Sequence, residues 1–469
     1  MLRKTKIICT IGPVSESYEM LAKLAKAGMN IARLNMSHGD HISHAKVIRA
    51  IKSLNQKIVT PIPILLDTQG PEIRTGTLET DMELKTGNEI TISVRGGDVE
   101  ASSIHINYEA LIDDVVIGDR ITVDNGLINL EVLEKHDRTM RCRIVDGGTL
   151  KSRRHVNLPG VRVNLPAITK KDREDILFGI AQEVDFIALS FVREAEDVRQ
   201  LKKLLGETES KANKIKIIAK IEDQEGLRNL EDIIQEADGI MVARGDLGVE
   251  INFAELPNAQ RRMARLCHQY GKRVIVATHL LESMIQNPMP TRAEVTDVAN
   301  AVYEEVDAIM LSGETTVGKY PVKCVEVLDE IARMTEQAPG LGFSSELIKS
   351  NDKQHLAQSA VDLAEALQAD GILVITRRGI TAHYVTNCRP FKTPIFAFTN
   401  DSRTRRQLSL NRGVIAYRMD FSSDPEKTLA HAMDTLKEKQ QWQGGEKIVV
   451  ISDVIAGAGI DAIQIRRII

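Results

Sequence analysis

The stretch Lys214–Glu250 reads KIKIIAKIEDQEGLRNLEDIIQEADGIMVARGDLGVE and contains two apolar, strand-like runs that each end in charged residues. The first run leads into Lys220 and Glu222. The second leads into Arg244 and Asp246. Because unpaired charge is costly inside a protein, we expect these side chains at an open end of a sheet and not within it.

The same pattern recurs along the chain and predicts eight strands. They fall at residues 6–12, 29–39, 61–70, 185–192, 214–222, 238–246, 272–280 and 307–315. Near-continuous apolar strands are typical of a parallel sheet that is covered on both faces. The segments between them, such as residues 17–28 and 258–271, have the pattern of amphipathic helices. The chain therefore alternates strand and helix.

The spacing of the strand ends indicates a repeated strand–helix unit. Successive polar residues at these ends lie 24 to 34 residues apart; they are Ser190, Lys220, Arg244, Thr278 and Ser312. Eight such units form a TIM barrel, in which functional groups gather at the carboxyl ends of the strands. We therefore predict an α/β fold of the (β/α)₈ type, with the charged residues around one mouth of the barrel.

One interval is too long for this unit. Asp67 and Ser190 are 123 residues apart, and the intervening sequence has short alternating strands separated by Gly and Asn turns. We predict a small β-barrel domain inserted after strand three, which acts as a lid that excludes water from the barrel mouth. After about residue 340, strands again alternate with helices, which predicts a separate C-terminal open α/β domain.

These patterns predict four segments. Residues 1–71 form the first part of the barrel, residues 72–167 the inserted β lid, residues 168–340 the second part of the barrel, and residues 341–469 the C-terminal α/β domain, a possible effector domain.

Length and composition favour a multidomain globular protein and give no support for a nucleic-acid-binding, disulfide-stabilised or membrane-spanning one. A chain of 469 residues is too long for one hydrophobic core. Its net charge of −4 gives no argument for a nucleic-acid partner. Five scattered cysteines without a CxxC pair fit a reducing compartment. The sequence has no apolar run of transmembrane length and no secretory signal, so we expect a cytoplasmic protein without a membrane partner.

The predicted mouth carries groups suited to metal ions and phosphate. Glu222 and Asp246 are carboxylates of the kind that Mg²⁺ prefers. A second group of hard oxygen ligands consists of Asn35, Ser37, Asp67 and Thr68. Positive charge comes from Arg33, Arg74 and Lys220. Such charges suit a phosphoryl group in transit, whose transfer depends on positioning and charge stabilisation. The segment GDLG predicts a tight turn into a helix, and backbone N–H groups at this helix start, Gly245 and Asp246, are candidates for binding a substrate carboxylate.

Structural roles compete with these functional ones. A single Lys-x-Glu pair is more often a salt bridge, and Asn35 and Ser37 alone would more often cap a helix. His38 is equally compatible with a nucleotide contact and with a helix-start hydrogen bond. The segment TRRGIT (376–381) fits a phosphate site or a solvated surface. Charges at nearly every strand end favour function, because so many would be costly to bury unpaired.

The motifs resemble those of the pyruvate kinase family, in the order in which that family has them. They are NIARLNMSHG, LLDTQGPEIRTG, VNLPGVRVNLP, KIEDQEG, VARGDLGVE, NPMPTRAE, DVANAV and LSGET. The resemblance covers roughly residues 3–335 by motif and the remainder by pattern. It implies transfer of the phosphoryl group of phosphoenolpyruvate to ADP, giving ATP and pyruvate, the last step of glycolysis. It also implies a homotetramer.

The resemblance implies a role for each matching residue. Glu222 and Asp246 would bind Mg²⁺ or Mn²⁺, and Asn35, Ser37, Asp67 and Thr68 would bind K⁺. Substrate would contact Arg33, Arg74, Lys220, Ala243, Gly245, Asp246 and Thr278, and nucleotide would contact His38 and Arg154. Lys220 and Arg33 would act on the phosphoryl group, with Thr278, Ser312 and Glu314 in protonation of the enolate.

Some positions depart from the family pattern. Glu72 goes with K⁺ dependence, whereas Gln69 stands where K⁺-dependent members usually have Lys. His279 and His155 replace the usual Gln and Gly. A phosphorylated allosteric effector would bind Thr376, Arg377, Arg378, Gly379 and Thr381. The glycine-rich segment 452–462 differs from the usual effector loop, so we do not expect activation by fructose 1,6-bisphosphate.

Two other functions fit parts of the pattern. A metal-dependent barrel aldolase or lyase acting on pyruvate or phosphoenolpyruvate would share the enolate-stabilising metal. It leaves the inserted lid and the second oxygen cluster unexplained. A non-catalytic regulatory paralogue would be expected to lack one of Lys220, Glu222, Asp246 and Thr278, and all four are present.

Overall fold

The protein is described here by a computed structural model that covers residues 2–94, 103–208, 214–452 and 462–469. Its first part contains three strands and two helices, which are β1 (Lys6–Thr10), α1 (Tyr18–Ala27), β2 (Ile31–Asn35), α2 (His41–Asn55) and β3 (Ile64–Asp67). The Ser17 side chain accepts the Met20 N–H and caps α1, which ends at Gly28 with φ of +124°. This cap and stop explain the observed helix bounds.

The chain then enters an inserted domain of short strands. Its elements are β4 (Met82–Leu84), β5 (Glu89–Ser93), β6 (Ser103–His105), α3 (Leu111–Asp114), β7 (Arg120–Val123), β8 (Ile128–Lys135), β9 (Thr139–Asp146), β10 (Gly148–Leu150) and β11 (Val156–Asn157). Six of these strands pair in the order β11-β7-β8-β9-β5-β6, and β10 pairs with β4. Side chains along β8 alternate between buried and partly exposed, so one face covers the domain's own hydrophobic core.

The second part of the barrel follows. Its strands are β12 (Phe186–Leu189), β13 (Lys216–Ile221), β14 (Gly239–Ala243), β15 (Arg273–Ala277) and β16 (Ala308–Leu311). Its helices are α4 (Lys170–Ala181), α5 (Ala195–Thr208), α6 (Gln224–Arg228), α7 (Leu230–Glu236), α8 (Arg244–Glu250), α9 (Leu256–Gln269), α10 (Arg292–Tyr303), α11 (Gly313–Thr316) and α12 (Pro321–Thr335).

The eight predicted barrel strands all form and close into one parallel barrel, in the order β1-β16-β15-β14-β13-β12-β3-β2. Alternate residues face opposite sides of each strand. Ile8 on β1 joins the cluster inside the barrel, whereas Ile7 and Cys9 pack in the outer core with the helices. The predicted fold class is therefore confirmed, and the residue boundaries between the domains stay predictions.

The C-terminal domain is an open sheet covered by helices. It contains α13 (Asp352–Ala366), β17 (Gly371–Ile375), α14 (Ile380–Asn387), β18 (Ile395–Thr399), α15 (Ser402–Gln407), β19 (Val414–Arg418), α16 (Pro425–Gln440), β20 (Lys447–Ser452) and β21 (Ala462–Arg467). The strand order is β19-β18-β17-β20-β21, and β21 is antiparallel to β20. Most of the glycine-rich effector segment predicted at 452–462 lies outside the described residues, because residues 453–461 are not described.

The C-terminal domain closes the floor of the barrel. Leu410 joins the cluster of apolar side chains inside the barrel. Beside it, the buried carboxylate of Asp307 accepts hydrogen bonds from Arg273 Nη1 at 2.8 Å and from both terminal nitrogens of Arg389 at 2.8 and 2.9 Å. Burial alone would raise the pKa of Asp307, but the two guanidinium groups outweigh it and hold the pKa well below its usual value. This ion cluster joins the two domains.

Among the described residues, no helix is both long enough and apolar enough to span a bilayer.

We expect Asp307→Asn to lower the free energy of unfolding by about 3–5 kcal/mol at pH 7, because it leaves buried guanidinium groups without their counter-charge. A carboxylate with a lowered folded pKa stabilises the fold above its unfolded pKa and loses this effect as the pH falls. The difference between wild type and variant should therefore hold from pH 7 to 5 and shrink below about pH 4. Urea unfolding at each pH measures it. Asp434→Asn, at an exposed position, is the control and should change little; equal effects of both substitutions would contradict the role of Asp307.

Candidate active site

A buried ammonium group lies at the centre of the barrel mouth. Lys220 Nζ on β13 lies 3.0 Å from Asp67 Oδ1 and 3.0 Å from Glu222 Oε1, and it donates to Ser190 Oγ at 2.7 Å. Burial alone would lower the pKa of Lys220, but the two carboxylates outweigh it and raise the pKa above its usual value. Lys220 is therefore a fixed positive charge at neutral pH.

Asp67 links this ammonium group to Arg33. Its other carboxylate oxygen, Oδ2, accepts from Arg33 Nε at 2.6 Å, and Arg33 Nη1 donates to Thr10 Oγ1 at 2.9 Å. Burial works to raise the pKa of Asp67, but Arg33 and Lys220 prevail and lower it. Two cationic side chains are thus held side by side by one fully buried carboxylate.

The Glu222 carboxylate is buried, which disfavours its charged form. Its side chain is 2% exposed, and its Oε2 accepts the Phe191 N–H at 2.7 Å. Burial raises the pKa of Glu222 to about 7; Lys220 opposes this shift, and negative charge on Asp246 reinforces it. A divalent cation shared by Glu222 and Asp246 would offset the cost of burying the Glu222 charge. It would also offset the repulsion between the two carboxylates.

These residues fit a hard divalent ion that is completed by substrate. No group of three His, Cys, Asp or Glu side chains able to hold a metal occurs within the described residues. Two carboxylates alone leave most coordination positions open, and Mg²⁺ sites in phosphoryl-transfer enzymes are of this kind. The donor set at Glu222 and Asp246 therefore suits Mg²⁺ or Mn²⁺ bound together with substrate oxygens.

The apolar run at 238–246 gives way to a helix close to the helix start predicted at Gly245 and Asp246. β14 stops at Ala243, and Arg244 begins α8, so Gly245 and Asp246 lie in the first turn of a short helix. The Gly245 N–H donates to Thr278 Oγ1 at 2.8 Å. This amide, which the sequence suggested for a substrate carboxylate, is bonded to the Thr278 hydroxyl in this structure.

Thr278 has a strained backbone, with φ of +68°. A β-branched residue rarely adopts this conformation, so the surroundings must hold it there. Arg244 does so by donating to the Thr278 carbonyl at 2.5 Å and to the Ala277 carbonyl at 3.3 Å. Arg244 is itself fixed by Asp297 at 2.7 Å. The guanidinium group thus sets where the Thr278 hydroxyl lies.

The predicted oxygen cluster is brought together at the ends of β2 and β3. Asn35 and Asp67 are paired across the two strands, and the Ser37 N–H donates to Asn35 Oδ1 at 3.2 Å. Thr68 Oγ1 accepts the Ser190 N–H at 3.0 Å, and the Thr68 carbonyl accepts the Ser190 hydroxyl at 2.7 Å. Neutral and anionic oxygens close together suit a monovalent cation.

Ser312 and Glu314 brace the neighbouring loops. Burial raises the pKa of Glu314, whose side chain accepts the N–H groups of Leu281 and Ser312 at 3.1 and 2.7 Å. The carboxylate thereby ties the loop after β15 to the loop after β16. These contacts fix the two loops at the barrel mouth.

The other predicted site residues lie farther out. Arg74 donates to Glu72 at 2.7 Å, and Gln69 donates to the same carboxylate oxygen at 3.0 Å. His38 is exposed on the loop after β2. Arg154 lies on the inserted domain, 3.4 Å from Asp124. Among the described contacts, none joins His38 or Arg154 directly to Lys220 or Asp67.

The predicted effector residues lie together in the C-terminal domain, on the turn between β17 and α14. The Gly379 N–H donates to the buried Thr376 hydroxyl at 3.1 Å, and Gly379 has φ of +80°. Arg377 and Arg378 are exposed, and Thr381 is buried in the first turn of α14. This turn is separate from the barrel mouth.

Three polar residues of the mouth were not among the predicted site residues. They are Thr10, Ser190 and Arg244, which contact Arg33, Lys220 and Thr278 respectively. Each lies at or directly after the carboxyl end of a barrel strand. The strand-end pattern places Ser190 and Arg244 at the mouth without giving them a role, and the same rule applied to β1 would have added Thr10.

Comparison with known proteins agrees with this geometry. The sequence matches the family descriptions "Pyruvate kinase, barrel domain" over residues 2–325 and "Pyruvate kinase, alpha/beta domain" over residues 354–465. The chain belongs to the pyruvate kinase family. This confirms the resemblance found in the motifs, and the family is one of phosphotransferase enzymes.

Curated relatives are similar over nearly the whole chain. "Plastidial pyruvate kinase 2" of Arabidopsis thaliana is 43% identical, covering 99% of this chain and 81% of the relative. "Pyruvate kinase" of Geobacillus stearothermophilus is 44% identical, covering 97% and 78%. A crystal structure of a pyruvate kinase from Cryptosporidium parvum superposes with a TM-score of 0.94 at 38% identity and covers 100% of this chain and 96% of that chain.

We expect Arg244→Met to reduce turnover at least about tenfold, because Thr278 loses the group that holds its strained backbone. Stability should also fall, by about 1–3 kcal/mol, since two carbonyl groups lose their donor. Steady-state kinetics and thermal unfolding measure the two effects. The control is Arg265→Met, which removes an exposed guanidinium group paired with Glu346. A destabilised variant with unchanged turnover would show that Thr278 does not depend on Arg244.

Proposed function

We propose that this protein transfers the phosphoryl group of phosphoenolpyruvate to ADP, giving ATP and an enolate of pyruvate that is then protonated. The observation that carries the proposal is the buried Lys220 ammonium group, held within 3.0 Å of both Asp67 and Glu222 at the barrel mouth. It combines a fixed positive charge with carboxylates suited to a divalent ion. This is the environment that phosphoryl transfer requires.

In the transfer step, Lys220 and Arg33 stabilise negative charge. The bond from phosphorus to the enol oxygen of phosphoenolpyruvate breaks, and a bond forms to a terminal phosphate oxygen of ADP. Charge spreads over the phosphoryl oxygens and onto the enolate oxygen in the transition state. Because Asp67 holds the Lys220 and Arg33 side chains in place, these groups need little reorganisation when this charge develops.

Glu222 and Asp246 are proposed to hold Mg²⁺ or Mn²⁺, and Asn35, Ser37, Asp67 and Thr68 to hold K⁺. When bound, the divalent ion supplies positive charge that neutralises phosphoryl and enolate oxygens. The carboxylate of Glu222 is oriented for this role by the Phe191 N–H. The Thr68 carbonyl is oriented by Ser190.

Thr278 is proposed to lie beside the enolate carbon that takes up a proton. Its hydroxyl accepts the Gly245 N–H and donates to the Ala277 carbonyl at 2.6 Å, so its position is fixed from two sides. Ser312 and Glu314 are proposed to belong to the route that resupplies the proton. Glu314 accepts the Leu281 N–H, on the same loop as Thr278, and the Ser312 N–H.

Nucleotide is proposed to bind between the barrel and the inserted domain, with contributions from His38 and Arg154. Arg74, Ala243 and Gly245 complete the proposed phosphoenolpyruvate site. The inserted domain would close over both substrates as a lid and exclude water.

The quaternary and regulatory proposals follow from the family. We infer a homotetramer with a phosphorylated effector at the turn containing Arg377 and Arg378, whose exposed guanidinium groups suit phosphate. A cytoplasmic location remains a prediction, since similar proteins include both bacterial and plastidial pyruvate kinases.

Family membership favours phosphoryl transfer over the aldolase or lyase alternative. Lys220, Glu222, Asp246 and Thr278 are all present at the mouth, which favours an active enzyme over a regulatory paralogue.

Pyruvate formation from phosphoenolpyruvate and ADP should require Mg²⁺ and rise with K⁺. A coupled assay with each ion omitted in turn measures both dependences. Full activity with Mg²⁺ alone would keep the reaction but remove the K⁺ role of the oxygen cluster. Absence of pyruvate from folded protein under every ion condition would contradict the proposed function.

Lys220→Met should reduce turnover at least about a thousandfold, because it removes the charge that faces the phosphoryl group. Binding of Mn²⁺ should be nearly retained, since Glu222 and Asp246 remain. Turnover and electron paramagnetic resonance titration with Mn²⁺ separate the two effects. Lys216→Met, on the same strand and paired with Asp238, is the matched control. Near-normal turnover of Lys220→Met would exclude the proposed role.

A further inference from the structure

A side-chain hydrogen bond joins the inserted domain directly to the helix that carries Asp246. Asn157 Nδ2 donates to Glu250 Oε1 at 2.9 Å. Asn157 lies on β11, which pairs with β7 in the sheet of the inserted domain, and its side chain is buried. Glu250 is the last residue of α8. A group in the lid and a group in the barrel are therefore in contact.

The position of Glu250 on α8 relates this contact to the metal site. Residues four apart lie on the same face of a helix, so Asp246 and Glu250 share one face. The first residue of the same helix, Arg244, holds the Thr278 carbonyl. A shift of this seven-residue helix would move a proposed metal ligand and the contact that positions Thr278 together.

A second contact connects Glu250 to the other metal carboxylate. The Gln224 side chain donates to the Glu250 carbonyl, and Gln224 begins α6 two residues after Glu222. The Glu250 carboxyl group also accepts the Leu158 N–H, beside Asn157. Glu250 is thus bonded both to the strand that leaves the lid and to the loop that follows Glu222.

The surroundings leave room for this contact to open. A cavity of about 260 Å³ lies between the segment that leaves the lid and the barrel loops, and both Asn157 and Glu250 line it. Close packing resists such separation, whereas space beside a contact permits it. Two further contacts cross the same junction: Arg193 donates to the Val163 carbonyl at 2.5 Å, and Arg162 lies 3.3 Å from Glu225.

We propose that the Asn157–Glu250 hydrogen bond is a latch that couples the position of the inserted domain to the placement of Asp246. Glu250 acts as a positioning residue: with the bond made, α8 is held so that Asp246 and Glu222 can share one ion while the lid covers the mouth. The inference rests on the proposed function, because it assigns a consequence to the placement of Asp246. The competing explanation is a static packing contact with no effect on the metal carboxylates.

The test reverses the hydrogen bond. Asn157→Asp places a second carboxylate against Glu250. Because burial raises the pKa of Glu250 to about 7, the variants are compared at about pH 9, where both groups are charged and repulsion should break the latch. Glu250→Gln keeps an acceptor oxygen for Asn157 and should have an effect below about threefold. In the double variant, the introduced glutamine can donate to the introduced aspartate, so the bond is restored with opposite direction. The matched control is Thr122→Val. Thr122 lies opposite Asn157 in the sheet, but its hydroxyl donates to Asn129 and not to the barrel.

The first readout is kinetic. Asn157→Asp should lower kcat about tenfold and raise the Mg²⁺ concentration for half-maximal activity several-fold, and the double variant should recover most of both losses. Thr122→Val should leave both quantities near those of the wild type. If the effects of the two single substitutions simply multiply in the double variant, there is no coupling and the latch is overturned.

The second readout needs no activity. In hydrogen–deuterium exchange without substrate or metal, Asn157→Asp should speed exchange in residues 156–165 and in α8 together, and the double variant should slow both again. Faster exchange confined to the lid segment would overturn the proposal, because α8 would not respond to the lid. If the wild type forms no pyruvate but exchange in both segments is coupled, the proposed function fails and the mechanical link remains.

Discussion

The Lys220 ammonium group can be buried only because two carboxylates and a hydroxyl surround it. Its contacts come from three different strand ends: Asp67 at the end of β3, Ser190 after β12 and Glu222 after β13 itself. Asp67 in turn binds Arg33 on β2. A buried charge without partners would cost several kcal/mol. Barrel closure and charge pairing therefore depend on each other, since closure assembles the partners and the partners make the charged mouth tolerable.

The same mouth retains one unfavourable feature. Burial raises the pKa of Glu222 to about 7, and the nearby charge on Asp246 adds to this effect. Such a carboxylate is poorly stabilised until a cation arrives, which gives an ion more to gain by binding there. The short helix α8 contributes to each of these features. It supplies Arg244 to hold Thr278, it carries Asp246, and it ends at Glu250 against the inserted domain.

The sequence predicted the fold well because each barrel strand is a near-continuous apolar run whose end is marked by polar residues. It predicted which residues share the mouth for the same reason. The strand run at 238–246 and the helix start at Gly245 and Asp246 overlapped in the prediction, and the structure resolves the overlap by ending β14 at Ala243. The pairing of Asn157 with Glu250, 93 residues apart, has no local signal. Such contacts depend on side-chain direction across two domains, which strand and helix periodicity does not encode.

The floor of the barrel has a consequence for how the chain folds as it is made. β1 cannot pair with its last partner until β16 has been synthesised up to Leu311. Leu410, which fills the floor, follows about 100 residues later, at which point Arg389 is also available to Asp307. At a synthesis rate of roughly 5–20 residues per second, the nascent barrel waits about 5–20 s with an open floor. During that interval apolar side chains inside the barrel and an incompletely paired Asp307 stay exposed, so the nascent barrel is open to aggregation until the last quarter of the chain has been made.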